Sequence, residues 1–187
     1  MSINLEIEAK SLIDEKSYRK LVEGKTDKCY TQTNYYLDNK KSELHKKKLG
    51  LRVREKDGEL ELTLKVKQIE GKLEINQLIS DKDFFNLKVK SIFPEGEVKN
   101  TLLKHEIDVN KLYIFTTLVT IRLDLEYKGC LISIDNSSFS GITDYEVECE
   151  ADSIKKAKST LIEFLKENEV PYQENFVSKL KRARDSL

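Results

Sequence analysis

The sequence predicts an α+β protein in which amphipathic helices cover an antiparallel β-sheet. Three observations support this fold class. Apolar and charged residues alternate with a period of two through much of the chain, short turns join the alternating segments, and several other stretches have helical spacing. The length of 187 residues fits one domain with a substantial core, so we expect a single domain over residues 1–187.

The elements of the N-terminal part can be predicted in order. Ile3, Leu5, Ile7 and Ala9 alternate with polar neighbours, which predicts a half-buried strand at the start of the chain. Apolar residues at helical spacing then predict a helix near residues 11 to 23, ended by glycine. Residues 29–39 are rich in β-formers and predict the next strand.

A β-meander is predicted over residues 49–79. Its three alternating segments are separated by the turns Asp57-Gly58 and Glu70-Gly71. Ser80 is a suitable N-cap for a short helix, and residues 97–107 predict a second one.

Strands resume in the C-terminal part. Residues 116–137 predict two strands joined at Lys128-Gly129, and residues 144–151 predict a closing strand. A long helix is expected after Asp152 or Ser153, and a last short helix within residues 175–187.

The composition excludes several classes of protein. Thirty-three Lys and Arg residues balance 33 Asp and Glu residues, which argues against a stable nucleic-acid complex. No apolar run approaches the roughly 20 residues of a membrane span, so we expect no membrane partner and a cytoplasmic protein. Three widely spaced cysteines predict buried free thiols, and the two histidines have no partner at metal-ligand spacing.

The alternating sheet leaves open which face is buried. Apolar faces that meet inside, with charges in water, are the commoner arrangement; the alternative places the charges inward and the apolar faces outward under helices. Two observations favour the alternative. The amphipathic helices need an apolar surface to cover, and the charges are sorted by sign rather than mixed. The sorted pairs are the carboxylates Glu6 with Glu8 and Glu146 with Glu148, and the cations Arg52 with Arg54 and Lys65 with Lys67.

The sorted charges suit one kind of ligand. Converging carboxylates are hard oxygen ligands for Mg²⁺ or Mn²⁺, which share their other positions with water and phosphate oxygens. Arginine and lysine side chains at i,i+2 point the same way from a strand and can hold several phosphoryl groups. Together they predict a site for a metal-bound polyphosphate.

Seven segments also carry a resemblance. The sequence is similar to the CYTH domain, also called the triphosphate tunnel metalloenzyme superfamily, and to a small bacterial subgroup of it. The first segment, EIEAK at residues 6–10, resembles the family's ExExK signature. The others follow in order: QTNYYLD, LGLRVRE, LTLKVK, TIRLDLEYKGCLISID, DYEVECEA and SKLKRA.

The resemblance implies a fold and a set of roles. The fold would be a closed antiparallel β-barrel, or tunnel, of about eight strands with a charged lumen and helices packed outside. Glu146, Glu148 and Lys179 would be catalytic, with Lys179 closing one end of the tunnel and one of the two glutamates accepting a proton from water. The divalent cation, Mg²⁺ or Mn²⁺, would be held by Glu6, Glu8, Asp135, Glu146 and Glu148. Phosphates would bind to Lys10, Arg52, Arg54, Lys65, Lys67 and Arg122.

Three functions are compatible with this pattern. The first is metal-dependent hydrolysis of a triphosphate, either inorganic tripolyphosphate or an organic triphosphate. The second is a class IV-type adenylyl cyclase, which the absence of a histidine-containing strand motif disfavours. The third is a non-catalytic module that binds polyphosphate or a nucleotide. The sequence predicts a triphosphate or nucleotide ligand in each case, and it does not indicate the oligomeric state.

Overall fold

A computed structural model describes the whole chain, residues 1–187. The strands are β1 (Ser2–Glu6), β2 (Glu8–Ile13), β3 (Tyr30–Asp38), β4 (Leu49–Lys56), β5 (Glu59–Lys67), β6 (Lys72–Ile79), β7 (Tyr113–Tyr127), β8 (Cys130–Phe139) and β9 (Ile142–Glu150). The α-helices are α1 (Glu15–Val22), α2 (Glu43–Lys46), α3 (Asp81–Lys90), α4 (Glu97–Lys104), α5 (Ile154–Glu167) and α6 (Lys179–Asp185). These bounds confirm the α+β class and the predicted meander.

The strands form a nine-stranded sheet in the order β1-β6-β5-β4-β3-β7-β8-β9-β2. The sheet is open, because its end strands β1 and β2 are not hydrogen-bonded neighbours; the prediction of a closed barrel is therefore wrong. Only Ile7 separates β1 from β2, and one residue is too short a connection for two consecutive strands to fold back and pair. The same break raises the number of strands to nine.

The predicted helix near residues 11 to 23 starts later than expected. Ser11, Leu12 and Ile13 instead continue β2, opposite Val147, Glu146 and Tyr145 of β9. The Asp14 side chain then accepts a hydrogen bond of 2.7 Å from the Ser17 backbone N–H, which caps α1. Pairing with β9 on one side of β2, and the hydrogen bond from Leu12 N–H to Gln173 C=O on the other, thus override the helical spacing, because both satisfy backbone groups.

The chain divides into two compact units. The first unit comprises Met1–Leu5 and Thr33–Leu118, and the second comprises Glu6–Gln32 and Val119–Leu187. The expectation of a single domain stays a prediction. No helix in the chain has the length and apolar character needed to cross a membrane.

In the first unit, helices cover the apolar face of the meander. The buried leucines of β5, Leu60, Leu62 and Leu64, belong to one core with residues of α2, α3 and α4. Helix α3 begins with the predicted cap: Ser80 and Asp83 bond reciprocally to each other's backbone N–H groups. The charged residues of β5 lie on the opposite face, since successive side chains of a strand alternate.

The second unit repeats this arrangement with other helices. Apolar residues of β2, β7, β8 and β9 pack against α1 and α5, and Leu123, Ile132 and Val147 are almost fully buried. Ser153 caps α5, as predicted. The three cysteines are free, and Cys130 and Cys149 are buried in this core. Burial raises the pKa of the Cys149 thiol to about 12, as does its neighbour Cys130.

Candidate active site

The carboxylates of the second unit form a cluster on the face of the sheet opposite α1 and α5. Strand register brings them together: Asp135 of β8 pairs with Glu146 of β9, and Glu148 lies two residues further along β9. Asp135 and Glu146 are fully buried, and the side chain of Glu148 is 12% exposed. We call Asp135, Glu146 and Glu148 the carboxylate cluster. Buried carboxylates require charged or hydrogen-bonding partners, and the surrounding strands and α6 supply them.

Two cations on the sheet contact this cluster. Lys10 of β2 lies opposite Glu148 and forms ion pairs with Glu148 and, at 2.9 Å, with Glu8. Arg122 of β7 makes a two-pronged contact with Asp135 at 2.7 and 2.6 Å, and its Nη2 also lies 2.8 Å from Glu148 Oε2. The planar guanidinium therefore fixes the orientation of both carboxylates.

Lys179, the first residue of α6, is the central cation of the carboxylate cluster. Its Nζ lies 2.7 Å from Asp135 Oδ2, 2.6 Å from Glu146 Oε1 and 2.7 Å from Glu148 Oε1. Ser178 caps α6 and so sets where this lysine starts the helix. The structure thus joins Lys179 to Glu146 and Glu148, with which the sequence analysis grouped it, and also to Asp135.

Sequence reasoning missed three residues here: Arg182 and Asn175, which contact Glu146, and Asp144, which contacts Arg182. Arg182 of α6 bonds Asp144 through Nε at 2.6 Å and Glu146 Oε2 through Nη1 at 2.9 Å, while Asn175 Nδ2 donates to the same Glu146 oxygen at 2.5 Å. Two signals were available, because Arg182 follows Lys179 at the i,i+3 spacing of one helix face and Asp144 shares the phase of Glu146. Asn175 lies in a loop and carries no such signal.

The charges of the cluster shift several pKa values in a consistent direction. Burial alone would raise the pKa of Glu148, but Lys10, Lys179 and Arg122 outweigh it and hold that pKa well below its usual range. Burial would lower the pKa values of Lys10 and Lys179, yet the carboxylates around them hold both above the ordinary value for lysine. All three groups are therefore charged at neutral pH.

The donor chemistry of the cluster fits a divalent cation. Carboxylate oxygens are the ligands that Mg²⁺ and Mn²⁺ prefer. In this conformation, however, no three His, Cys, Asp or Glu side chains are arranged to hold a metal ion. Lysine and arginine nitrogens instead take the carboxylate oxygens, as the contacts of Lys179 and Arg122 show. A metal would therefore compete with protein cations for the same oxygens.

The first unit carries a separate group of charges on the helix-free face of its meander. Lys65 of β5 forms an ion pair with Glu74 of β6, and Arg54 Nε donates to Asn34 Oδ1 at 3.3 Å. Burial would raise the pKa of Glu74, but Lys65, Arg52 and Arg54 hold it below its usual value. We call Arg52, Arg54, Lys65 and Glu74 the meander cluster.

Two predicted site residues lie at strand ends. Glu6 is the last residue of β1 and is partly exposed, and the break at Ile7 separates it from Glu8, the first residue of β2. Lys67 is exposed at the end of β5, opposite Lys72 of β6. Their roles in binding metal and phosphate stay predictions.

The fold and the two charged clusters define a class of protein with an antiparallel sheet whose apolar face is covered by helices and whose opposite face carries carboxylates and cations. Residues 4–183 match the family model described as the CYTH domain. The chain therefore belongs to the CYTH domain family, as the resemblance of its seven segments predicted.

The chain is also similar to individual known proteins. YjbK of Bacillus subtilis strain 168, provisionally named a triphosphatase, is 33% identical over 178 residues that cover 93% of this chain and 92% of YjbK. A Bacillus halodurans protein, provisionally named an adenylate cyclase, is 31% identical with a TM-score of 0.90 over 97% of this chain and 98% of its own. HpAC1 from Hippeastrum, described as having a dominant triphosphatase activity, is 23% identical with a TM-score of 0.78, over 97% and 96% of the chains.

Proposed function

We propose that this protein is a metal-dependent phosphohydrolase that cleaves a triphosphate, either inorganic tripolyphosphate or an organic triphosphate. The observation that carries the proposal is the carboxylate cluster, in which three acidic side chains converge with Lys10, Arg122 and Lys179. Carboxylates and fixed cations in one place are the groups that phosphoryl transfer requires. Membership of the CYTH family and the provisional name of YjbK support the same activity.

The cations of each unit would bind phosphate. In the second unit, Lys10 and Arg122 would take phosphoryl oxygens. In the first unit, Arg52, Arg54, Lys65 and Lys67 would do the same. Arginine does so with two parallel N–H groups and lysine as a point charge. Since these side chains lie on strands whose neighbours fix their direction, they stabilise developing negative charge without reorganising.

The carboxylates would hold Mg²⁺ or Mn²⁺, with Glu6 and Glu8 joining Asp135, Glu146 and Glu148. The bound cation would neutralise phosphate charge and polarise the phosphoryl group. Lys179 would leave some of the carboxylate oxygens when the metal binds, because it contacts the same atoms.

A glutamate would accept the proton of the attacking water. Glu148 is a weak base, because neighbouring cations hold its pKa well below the usual range. Glu146 is the other candidate for general base. Asn175 and Arg182 hold one oxygen of Glu146 in a fixed direction.

The test is product release from tripolyphosphate, thiamine triphosphate, ATP and GTP, with Mg²⁺, with Mn²⁺ and with chelator. Metal-dependent orthophosphate release that is lost in Glu146→Gln would support the proposal. Glu163→Gln is the matched control, since that glutamate is exposed on α5. Pyrophosphate with cyclic AMP would instead identify a cyclase, and ligand binding without any product would identify a binding module.

A further inference from the structure

On the charged face of the meander, two buried polar atoms have neither a hydrogen bond nor an ion pair. They are Nε of Arg52 on β4 and Oδ1 of Asn76 on β6, and Asn76 is only 8% exposed. Thr63 of β5 lies between them, since Arg52 pairs with Thr63 and Thr63 pairs with Asn76. Directly opposed residues of neighbouring strands project to the same face, so the three form one polar row.

The row is unfavourable for folding as it stands. A buried donor or acceptor that is left unpaired loses its hydration and gains nothing in return, whereas an apolar residue of similar size avoids this cost. The two neighbouring residues on the same face, Lys65 and Glu74, are paired with each other. On the charged face the unpaired atoms are therefore confined to the row, and the other unpaired atom of the meander, Gln77 Oε1, lies on the opposite face. This indicates that the partner of the row is a ligand.

The two atoms require different chemistry from that ligand. Arg52 Nε donates, and it suits a phosphate oxygen. Asn76 Oδ1 accepts, and an ionised phosphate chain has no hydrogen to donate to it. A ligand that satisfies both must combine phosphate with a hydroxyl or amino group.

We infer that Arg52, Thr63 and Asn76 form a specificity subsite for an organic triphosphate whose organic group donates a hydrogen bond to Asn76. This inference rests on the proposed function and narrows it, because inorganic tripolyphosphate lacks such a donor. Thr63 is fully buried and lies between Arg52 and Asn76. Asn76 is thus the residue that distinguishes organic from inorganic triphosphates.

The experiment is titration calorimetry of ATP and tripolyphosphate at about pH 8, where the phosphate chains are ionised, with chelator and with Mg²⁺. We expect Asn76→Leu to weaken ATP binding about tenfold, the effect of one lost hydrogen bond, and tripolyphosphate binding less than twofold. Asn76→Asp keeps an acceptor, so the ratio of the two affinities should stay near that of the wild type. Asn100→Leu is the control, because Asn100 is exposed on α4.

Equal weakening for both ligands would overturn the inference, since it would mean that the amide donates to phosphate. Unchanged affinity for both would overturn it as well, because the row would then serve no ligand. Thermal unfolding checks that the variants fold, and Asn76→Leu should be at least as stable as the wild type. If Asn76→Leu does not fold, Asn76→Ala is used in its place. Should ATP binding depend on Asn76 while no triphosphate is hydrolysed, the proposed hydrolase fails and the subsite stands.

Discussion

Arg182 and Glu146 are joined by a hydrogen bond of 2.9 Å from Nη1 to Oε2, and the same guanidinium holds Asp144 at 2.6 Å. Glu146 is fully buried, so its orientation depends on these contacts, on Asn175 and on Lys179. We therefore predict that Arg182 positions Glu146.

Replacing Arg182 should weaken both the fold and the reaction. Arg182→Gln removes charge-assisted hydrogen bonds, each worth about 1.5–3 kcal/mol, so the free energy of unfolding should fall by an amount of that order. We expect kcat to fall at least tenfold under conditions in which the variant stays folded. Urea unfolding and steady-state kinetics measure the two effects. Lys181→Gln, on the exposed side of α6, should change neither, and equal kcat values for both variants would rule out the positioning role.

Lys179 should compete with a divalent metal. Its Nζ contacts three carboxylates at 2.6–2.7 Å, so its charge opposes a cation at the same oxygens. We expect Lys179→Met to bind Mn²⁺ about tenfold more tightly than the wild type, measured by titration calorimetry without substrate. Lys166→Met on α5 is the control. Weaker Mn²⁺ binding in Lys179→Met would show that the lysine does not compete with the metal.

The loss of unfolding free energy at acid pH should depend on Glu148. Its pKa is lowered on folding, so it contributes stability that is fully present above the unfolded value of about 4.3 and is lost as pH falls through the folded value. In metal-free buffer, Glu148→Gln should therefore show a shallower decline of unfolding free energy below about pH 5 than the wild type. Urea unfolding at a series of pH values across that range gives the slope of unfolding free energy against pH. Glu163→Gln should keep the wild-type slope, and an unchanged slope in Glu148→Gln would contradict the assignment.

The two faces of the meander should respond differently to truncation. Leu62 is fully buried under the helices of the first unit, whereas Leu78 is 62% exposed on β6. Leu62→Ala should lower the free energy of unfolding by about 2–5 kcal/mol, because it removes buried apolar atoms and leaves a cavity. Leu78→Ala should change it by about 0.5 kcal/mol or less. Denaturant unfolding of the pair tests whether the helices cover the apolar face, and similar losses would contradict it.

Much of the site follows from sequence because strand phase is periodic. The i,i+2 spacing of Glu146 and Glu148 places both on one face, and the alternation on β5 separates Leu62 from Lys65 in the same way. Helix caps are equally local, as Ser80 and Ser153 show. These features need only neighbouring residues, and the sequence predicted each of them.

The remaining features depend on partners that are distant in the chain. The break at Ile7 and the extension of β2 to Ile13 follow from pairing with β9, which no local pattern specifies. Asn175 reaches Glu146 from a loop across 29 positions of sequence. Alternation therefore determined which side chains share a face, and local patterns cannot specify which of those faces and loops meet, because that depends on register between strands far apart in sequence.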